Sequence, residues 1–389
     1  MANFKISDNI TYIGVDDKEL DLFESQYDVP NGMAYNSYLI TDEKTCVMDT
    51  ADSRVTDEWL ENLKAALGGR GVDYLVVQHV EPDHTGSLVR FLEAYPDAKV
   101  VGNAKTFTLL SQFYSIEGLA DKAVTVKEGD TLSLGSHTLR FIMTPMIHWP
   151  EVMMTYEESE KVFFSADAFG KFGTLDTDED WACEARRYYF NIVGKYGMQV
   201  QNLLKKAAAL DIQKILPLHG PILDSDLGYY IGLYNTWSKY EPESEGIFIA
   251  YASIHGNTAK AALKLKDMLE ARGVKKVAMN DLTRDDIAEG VEDAFRYGTM
   301  VLMSSSYDAG VFLPMEDFLV HLKAKTYQNR TVALVENGSW APSAAKTMRG
   351  YAENFKNVKI LENVVTIRSA LNAESEKALE ALADELAKL

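Results

Sequence analysis

Residues 74–86 read Tyr74-Leu75-Val76-Val77-Gln78-His79-Val80-Glu81-Pro82-Asp83-His84-Thr85-Gly86. Tyr74 to Val77 is a short apolar run of strand type, and the loop at its end packs together two imidazoles and two carboxylates. Glu81 and Asp83 lie close together with no Lys or Arg in the tract, so their mutual repulsion is costly unless a cation joins them. A divalent metal ion would meet that need. Alternate side chains of an extended segment share a face, which lets His79, Glu81 and Asp83 converge while His84 turns toward a second ion. A helix is expected from Gly86.

The same placement of a ligand-type residue directly after an apolar strand recurs downstream, at His148 after Phe141 to Ile147, Asp167 after Val162 to Ala166, and His219 after Ile215 to Leu218. A single histidine at a strand end is more often a hydrogen-bonded structural residue. Here, however, four of the chain's seven histidines fall into one pattern. His137, on a hairpin strand, and His321, on a helix, lie outside it and read as structural. Four imidazoles and three carboxylates suit two metal ions, with a bridging hydroxide or oxide to balance charge. A donor set without thiolate suits iron, manganese or zinc.

Around these motifs the chain divides in two. The last third alternates short apolar strands (Ile247 to Ala252, Val277 to Asn280, Met300 to Ser304, Val332 to Glu336, Val358 to Leu361) with helix-length segments, which predicts a doubly wound parallel sheet. Its last helix is read as Glu374 to Lys388, from the spacing of Leu379, Leu382 and Leu386. The first part mixes such units with hairpin patterns, at Leu132 to Phe141 and at Val152 to Ser165, and so predicts a partly antiparallel sheet packed with helices. The polar stretch Tyr240 to Gly246 places the boundary between domains 1–246 and 247–389.

The strand Ile247 to Ala252 runs into Ser253-Ile254-His255-Gly256-Asn257-Thr258 and an Ala-rich helix. Such a loop offers hydroxyls and backbone N–H groups at a helix N-terminus, which can hold a phosphate without lysine. Neither G-x-G-x-x-G nor a Walker lysine is present there, which argues against a dinucleotide or nucleoside triphosphate. Two further loops lie at the strand ends where doubly wound sheets bind ligands, Ser304-Ser305-Ser306-Tyr307-Asp308-Ala309-Gly310 and Glu336-Asn337-Gly338-Ser339-Trp340-Ala341. Each can carry an aromatic ring, Tyr307 or Trp340, to a flat ligand.

Composition narrows the classes. The chain has 389 residues, 47% of them hydrophobic and 25% charged, as in an ordinary globular protein of two domains. Its net charge of -19 disfavours nucleic acid or an anionic membrane as a partner. Cys46 and Cys183 cannot build a disulfide framework and read as free thiols. The first residues lack the apolar core of a secretory signal and no run is long enough to span a bilayer, so a cytoplasmic location is expected.

The tract His79-x-Glu81-x-Asp83-His84, with His148-Trp149-Pro150, Ser165-Ala166-Asp167-Ala168-Phe169-Gly170 and Leu218-His219-Gly220-Pro221, resembles the flavodiiron proteins, or A-type flavoproteins. The resemblance covers nearly the whole chain. It implies α/β and α+β architecture: a metallo-β-lactamase-like αβ/βα sandwich followed by a flavodoxin-like doubly wound parallel sheet. Most hydrolases of the superfamily have a second histidine where Glu81 stands, and in flavodiiron proteins that exchange accompanies two non-haem irons. By resemblance one iron takes His79, Glu81 and His148, the other Asp83, His84 and His219, and Asp167 bridges them. FMN is implied at Ser253, His255, Gly256, Asn257, Thr258, Ser304, Ser305, Ser306, Tyr307, Asp308, Gly310, Asn337, Gly338, Ser339 and Trp340. The second and third loops depart from the common family pattern, Ser-Pro-Thr-x-Asn and Gly-Ser-Tyr-Gly-Trp: Ser305 stands for the Pro, Ser306 for the Thr and Asp308 for the Asn, and the third loop reads Gly338-Ser339-Trp340-Ala341-Pro342.

The activity implied is reduction of dioxygen to water and/or nitric oxide to nitrous oxide, with electrons from a separate donor such as rubredoxin, in a head-to-tail homodimer or dimer of dimers. Two other readings stand beside it. One is a binuclear zinc hydrolase with a regulatory flavodoxin-like domain, against which Glu81 and the flavin loops count. The other is an electron carrier with a structural metal site, for which seven ligands are too many.

Overall fold

The computed structural model describes residues 3–389. By internal contacts the chain forms two compact units, one of residues 1–189 and 198–235 and the other of residues 190–197 and 236–389.

The first unit is built on two sheets. One runs Phe4–Lys5, Ile10–Tyr12, Tyr38–Thr41, Thr45–Met48, Tyr74–Val76, Lys99–Gly102, Ala123–Thr125, antiparallel at its start and parallel over its last four strands. The other runs Thr131–Ser133, Thr138–Met143, Met153–Glu157, Val162–Phe164, Lys214–Leu216, antiparallel until its final parallel pair. Val76 and Val101 of the first sheet share one core with Phe141, Met153, Phe164 and Leu216 of the second, so the sheets lie face to face. Outside them pack helices such as Thr56–Leu67, whose Trp59, Leu63 and Leu67 are buried at helical spacing. This is the expected αβ/βα sandwich.

The strand Tyr74–Val76 ends one residue earlier than the sequence suggests, and the expected helix from Gly86 begins sooner and in two pieces. Pro82, pre-set for a first helical position, opens a single turn over Pro82–Thr85, and a second helix follows at Leu88–Ala94. Gly86 sits at the junction because a Cβ there would lie 2.5 Å from the Ser53 nitrogen.

The second unit has parallel strands ordered Val277–Asp281, Ser244–Ala252, Tyr297–Tyr307, Thr331–Asn337, Lys359–Ile360, which is the 2-1-3-4-5 order of flavodoxin-like sheets. Both faces of the central strands are buried, as crossover helices require. On one face Leu265 and Leu269 of helix Asn257–Ala271 pack with Leu379, Leu382 and Leu386 of helix Ala373–Leu386. The expected strand Val358 to Leu361 shrinks to two residues, and Val365–Ile367 pairs farther along the same neighbour.

The reading of a boundary at Gly246 falls inside this unit. Trp237 Nε1 donates to Glu243 at 2.6 Å, the Glu243 N–H donates to the Arg296 carbonyl, and Arg330 donates to the Tyr240 carbonyl at 2.5 Å. Phe190, stacked on Phe295 at 4.4 Å, ties the earlier segment to the same unit. No helix among the described residues is long and apolar enough to cross a membrane.

Candidate metal centre and flavin site

The strand ends of the first unit bring all seven ligand candidates together. His79, Glu81, His148 and Asp167 form one group, and Asp83, His84 and His219 another. Glu81 Oε2 lies 3.1 Å from His79 Nε2 and 3.0 Å from His148 Nε2. Asp83 Oδ2 lies 3.3 Å from His84 Nε2 and 3.2 Å from His219 Nε2. Asp167 faces both groups, with Oδ2 3.3 Å from His79 and 3.2 Å from His148, and Oδ1 3.1 Å from His84.

The extended-segment argument for Asp83 is corrected by this geometry. His79 and Glu81 share a group, but the helical turn begun by Pro82 rotates Asp83 away from them to join His84.

Buried carboxylates facing buried imidazoles shift each other's proton affinity. Burial works against a charged ring at His79, yet Asp167, Glu151 and Glu81 outweigh it and raise its pKa well above the ordinary imidazole range. At His148 the Asp167 and Glu81 carboxylates likewise overcome burial and lift the pKa to about 9. Burial opposes the charged form of Asp167 too, but His79, His148 and His84 hold its pKa well below the usual carboxylate range.

Supporting groups orient this set. Glu151 Oε1 lies 2.8 Å from His79 Nδ1 and accepts the Val80 N–H at 2.9 Å, while His219 Nδ1 donates to the Ala34 carbonyl at 2.8 Å. Buried Asp49 accepts the Gln78 N–H at 2.8 Å and the Gln78 amide at 2.9 Å, fixing the backbone from which His79 projects. Glu151 and Asp49 were not singled out in the sequence. Glu151 is close to His148-Trp149-Pro150, but nothing local marks it as a partner of His79.

The donor set fits metal ions. Both oxygens of Asp83 and of Asp167, and Nε2 of His84 and of His219, are buried polar atoms without a well-aligned protein hydrogen bond. Such atoms are expensive unless something binds them.

In the second unit a cavity of about 510 Å³ opens at the strand ends, within the usual size for small-ligand sites. Ser253, His255, Asn257 and Thr258 line it from the first loop, Ser305, Ser306, Tyr307 and Asp308 from the second, and Asn337, Gly338, Ser339 and Trp340 from the third. Three residues named from the sequence do not. Ser304 is wholly buried inside its strand, Gly256 caps the helix with a left-handed φ of 82°, and Gly310 pairs with Tyr307 in a short ladder. Ser343 and Ser369 also line the cavity. Ser369 follows the strand Val365–Ile367 and is held by Asn337, whose amide donates to its carbonyl at 2.9 Å; that link joins loops distant in sequence and leaves no local mark.

A family model described as ODP family beta lactamase matches residues 33–220. A nitric oxide reductase of Moorella thermoacetica is 31% identical over 371 residues, covering 91% of this chain and 90% of that one. The flavo-diiron protein FprA2 of Clostridium acetobutylicum is 29% identical over 363 residues, 88% of this chain and 89% of that one. Among solved structures, the rubredoxin oxygen:oxidoreductase of Desulfovibrio gigas superposes with a TM-score of 0.91 at 25% identity, covering 99% of this chain and 98% of that one. With its sandwich, its paired His/carboxylate groups and its 2-1-3-4-5 sheet all in one order along the chain, this protein belongs to the flavodiiron protein family.

Proposed function

We propose that the protein reduces a diatomic gas, dioxygen and/or nitric oxide, at two non-haem irons, with electrons passed through FMN from a separate donor protein such as a rubredoxin. The observation that carries this reading is the Asp167 carboxylate, which turns one oxygen to each of two adjoining His/carboxylate groups. When bound, two irons would supply exchangeable electrons and FMN would store two more.

The residues have separable tasks. His79, Glu81 and His148 would hold the first ion, Asp83, His84 and His219 the second, with Asp167 between the two groups. Glu151 and the Ala34 carbonyl fix their imidazoles so that Nε2 points inward at His79 and His219. The loop Ser253 to Thr258, at the N-terminus of helix Asn257–Ala271, would hold the FMN phosphate, and Tyr307 and Trp340 are aromatic rings lining the same cavity. The iron ligands belong to the first compact unit and the flavin loops to the second. A homodimer or dimer of dimers is the assembly the family resemblance supports.

The test is anaerobic reduction followed by stopped-flow mixing with each gas, with turnover sustained by reduced rubredoxin. A yellow, iron-loaded protein that consumes at least one gas supports the reading. A colourless zinc protein, or an iron-loaded one inert to both gases, overturns it.

A further inference from the structure

The imidazoles of the metal centre are not held alike. His79 and His219 are oriented through Nδ1, by Glu151 and by the Ala34 carbonyl. The wholly buried His84 has the His79 and His219 rings on it at 5.6 and 4.7 Å. His148 stands at the wetter edge, its side chain 10% exposed, and among the described residues no protein group hydrogen-bonds its Nδ1. Only Nε2 meets carboxylates, Glu81 at 3.0 Å and Asp167 at 3.2 Å. A ring held at one nitrogen can pivot about that point unless its neighbours pack against it.

Aromatic packing supplies that restraint. The Trp149 ring stands edge-on to His79, centroids 5.2 Å apart and planes at 85°, and to His148 at 6.2 Å and 69°. The two imidazoles meet each other at 5.2 Å and 76°. All three separations fall in the range of roughly 4.5–7 Å over which edge-to-face rings attract. One indole therefore packs on both histidines of the first group.

The indole is fixed in its turn. Its carbonyl accepts the Met146 N–H at 2.7 Å, closing the backbone of the loop, and Phe113 stacks on its ring at 6.0 Å with planes 19° apart. Phe113 ends the helix Ala104–Phe113 and is 45% exposed, which makes it a poor core residue. That helix is tied to the ligand loops at both ends. At its start the Asn103 amide donates to the Glu151 carbonyl at 2.5 Å, and just past its end the Tyr114 and Thr85 hydroxyls lie 3.0 Å apart, next to His84.

We propose that Trp149, backed by Phe113, is a positioning residue of the metal centre: its indole fixes the tilt of the His79 and His148 rings, and so the direction in which both present Nε2 to the first ion. Neither aromatic residue is a ligand. The proposal rests on the di-iron reading above. Groups that orient metal ligands are ordinarily worth tenfold or more in metal retention.

Substitutions at the two rings separate positioning from fold. Trp149→Leu keeps apolar bulk but removes the ring that faces both imidazoles, Phe113→Ala removes only the backing, and Phe113→Tyr keeps the stack. In iron- and FMN-loaded protein, melting temperature and FMN content report the fold, while the EPR g-values of the half-reduced iron pair and the rate of iron loss to a chelator report the site. The expected result is that Phe113→Ala keeps the parental melting temperature and FMN, shows altered g-values and loses iron about tenfold faster. Trp149→Leu should show the same changes at least as strongly, and Phe113→Tyr should match the parent. Adding Phe113→Ala to Trp149→Leu should move neither site readout further, because Phe113 acts through the indole. Phe113 lies outside the ligand loops, so its variants carry the test even if Trp149→Leu does not fold. Parental g-values and iron retention in Phe113→Ala, or a Phe113→Tyr variant equally altered, overturn the proposal and leave the di-iron reading standing. So does a Phe113→Ala variant that melts early, since its ring would then serve the fold. A parent that takes up no iron overturns both.

Discussion

At the scale of single residues, Asp167 and Glu81 differ in what their loss removes. Asp167 is the one carboxylate among the seven ligand candidates that faces histidines of both groups, with an oxygen toward each. Asp167→Ala is therefore expected to lose both irons, and Glu81→Ala to lose the first, while FMN stays bound because its loops belong to the other compact unit. Metal analysis beside flavin fluorescence checks this, and full iron content in both variants would remove these residues from the ligand set. Gly338 offers a test at the flavin loops. A Cβ there would lie 2.8 Å from the Pro342 Cα and 3.0 Å from the Ser306 Oγ, so Gly338→Ala must displace the third loop and is expected to weaken FMN binding at least tenfold with iron unchanged. Fluorescence titration of the flavin-free protein measures it.

At the scale of elements, the hairpin Thr131–Ser133/Thr138–Met143 is held to its neighbours by a histidine between two carboxylates. His137 Nδ1 lies 2.7 Å from Asp42 Oδ2 and Nε2 lies 3.2 Å from Glu160 Oε1. Burial disfavours the charged ring, but these two bonds prevail and raise its pKa, while His137 and the Ser136 hydroxyl hold Asp42 below the usual carboxylate range against its own desolvation. A raised histidine contributes stability that is complete below about pH 6.5 and fades as pH climbs through its folded value, and a depressed aspartate contributes above about pH 3.9 and fades as pH falls through its own. The clamp is thus strongest between about pH 4 and 6.5. Thermal melts should show His137→Gln less stable than the parent at pH 6, with the gap narrowing by pH 9; a gap constant across that range would refute a charged clamp.

Elements also show what the sequence could reveal. The parallel sheet of the second unit was legible because each strand is a continuous apolar run between helix-length segments, a pattern that depends only on neighbours along the chain. The ligand residues were legible by type and by their place after strands. Their grouping followed from the family resemblance but not from extended-strand geometry, which misplaced Asp83 because Pro82 winds Asp83 and His84 into a helical turn. The short hairpin Leu22–Phe23/Tyr27–Asp28 went unread because its strands are two residues each and Phe23 packs on Phe172 and His219, far along the chain. Ser369 was missed for the same reason: a loop's place in a cavity is fixed by long-range hydrogen bonds, not by its own composition.

At the scale of the whole molecule, a buried cation organises the second unit. The Arg330 side chain donates to the carbonyls of Tyr297, Tyr240, Gln328, Asn329 and Phe295, so that one guanidinium joins two strand beginnings to the segment before the first strand. Lysine carries a single nitrogen and cannot reproduce that fan of donors. Arg330→Lys is expected to destabilise this unit by about 3 kcal/mol through carbonyls left unpaired, seen in denaturant unfolding as a lowered midpoint for the flavin signal. An unchanged midpoint would make the fan incidental.

The segment 190–197 gives the chain an order of events during synthesis. It leaves the ribosome before residues 198–235, which complete the first unit, and well before Phe295, Ala288 and Lys325, against which Phe190 and Asn191 settle. The nascent first unit must therefore close around a loop whose apolar Phe190 has no berth yet, and hold it open until the last third of the message has been read. Vectorial growth of this polypeptide thus ends by docking a piece made early onto helices made late, and a ribosome stalled before residue 288 would leave that piece exposed to chaperone or protease.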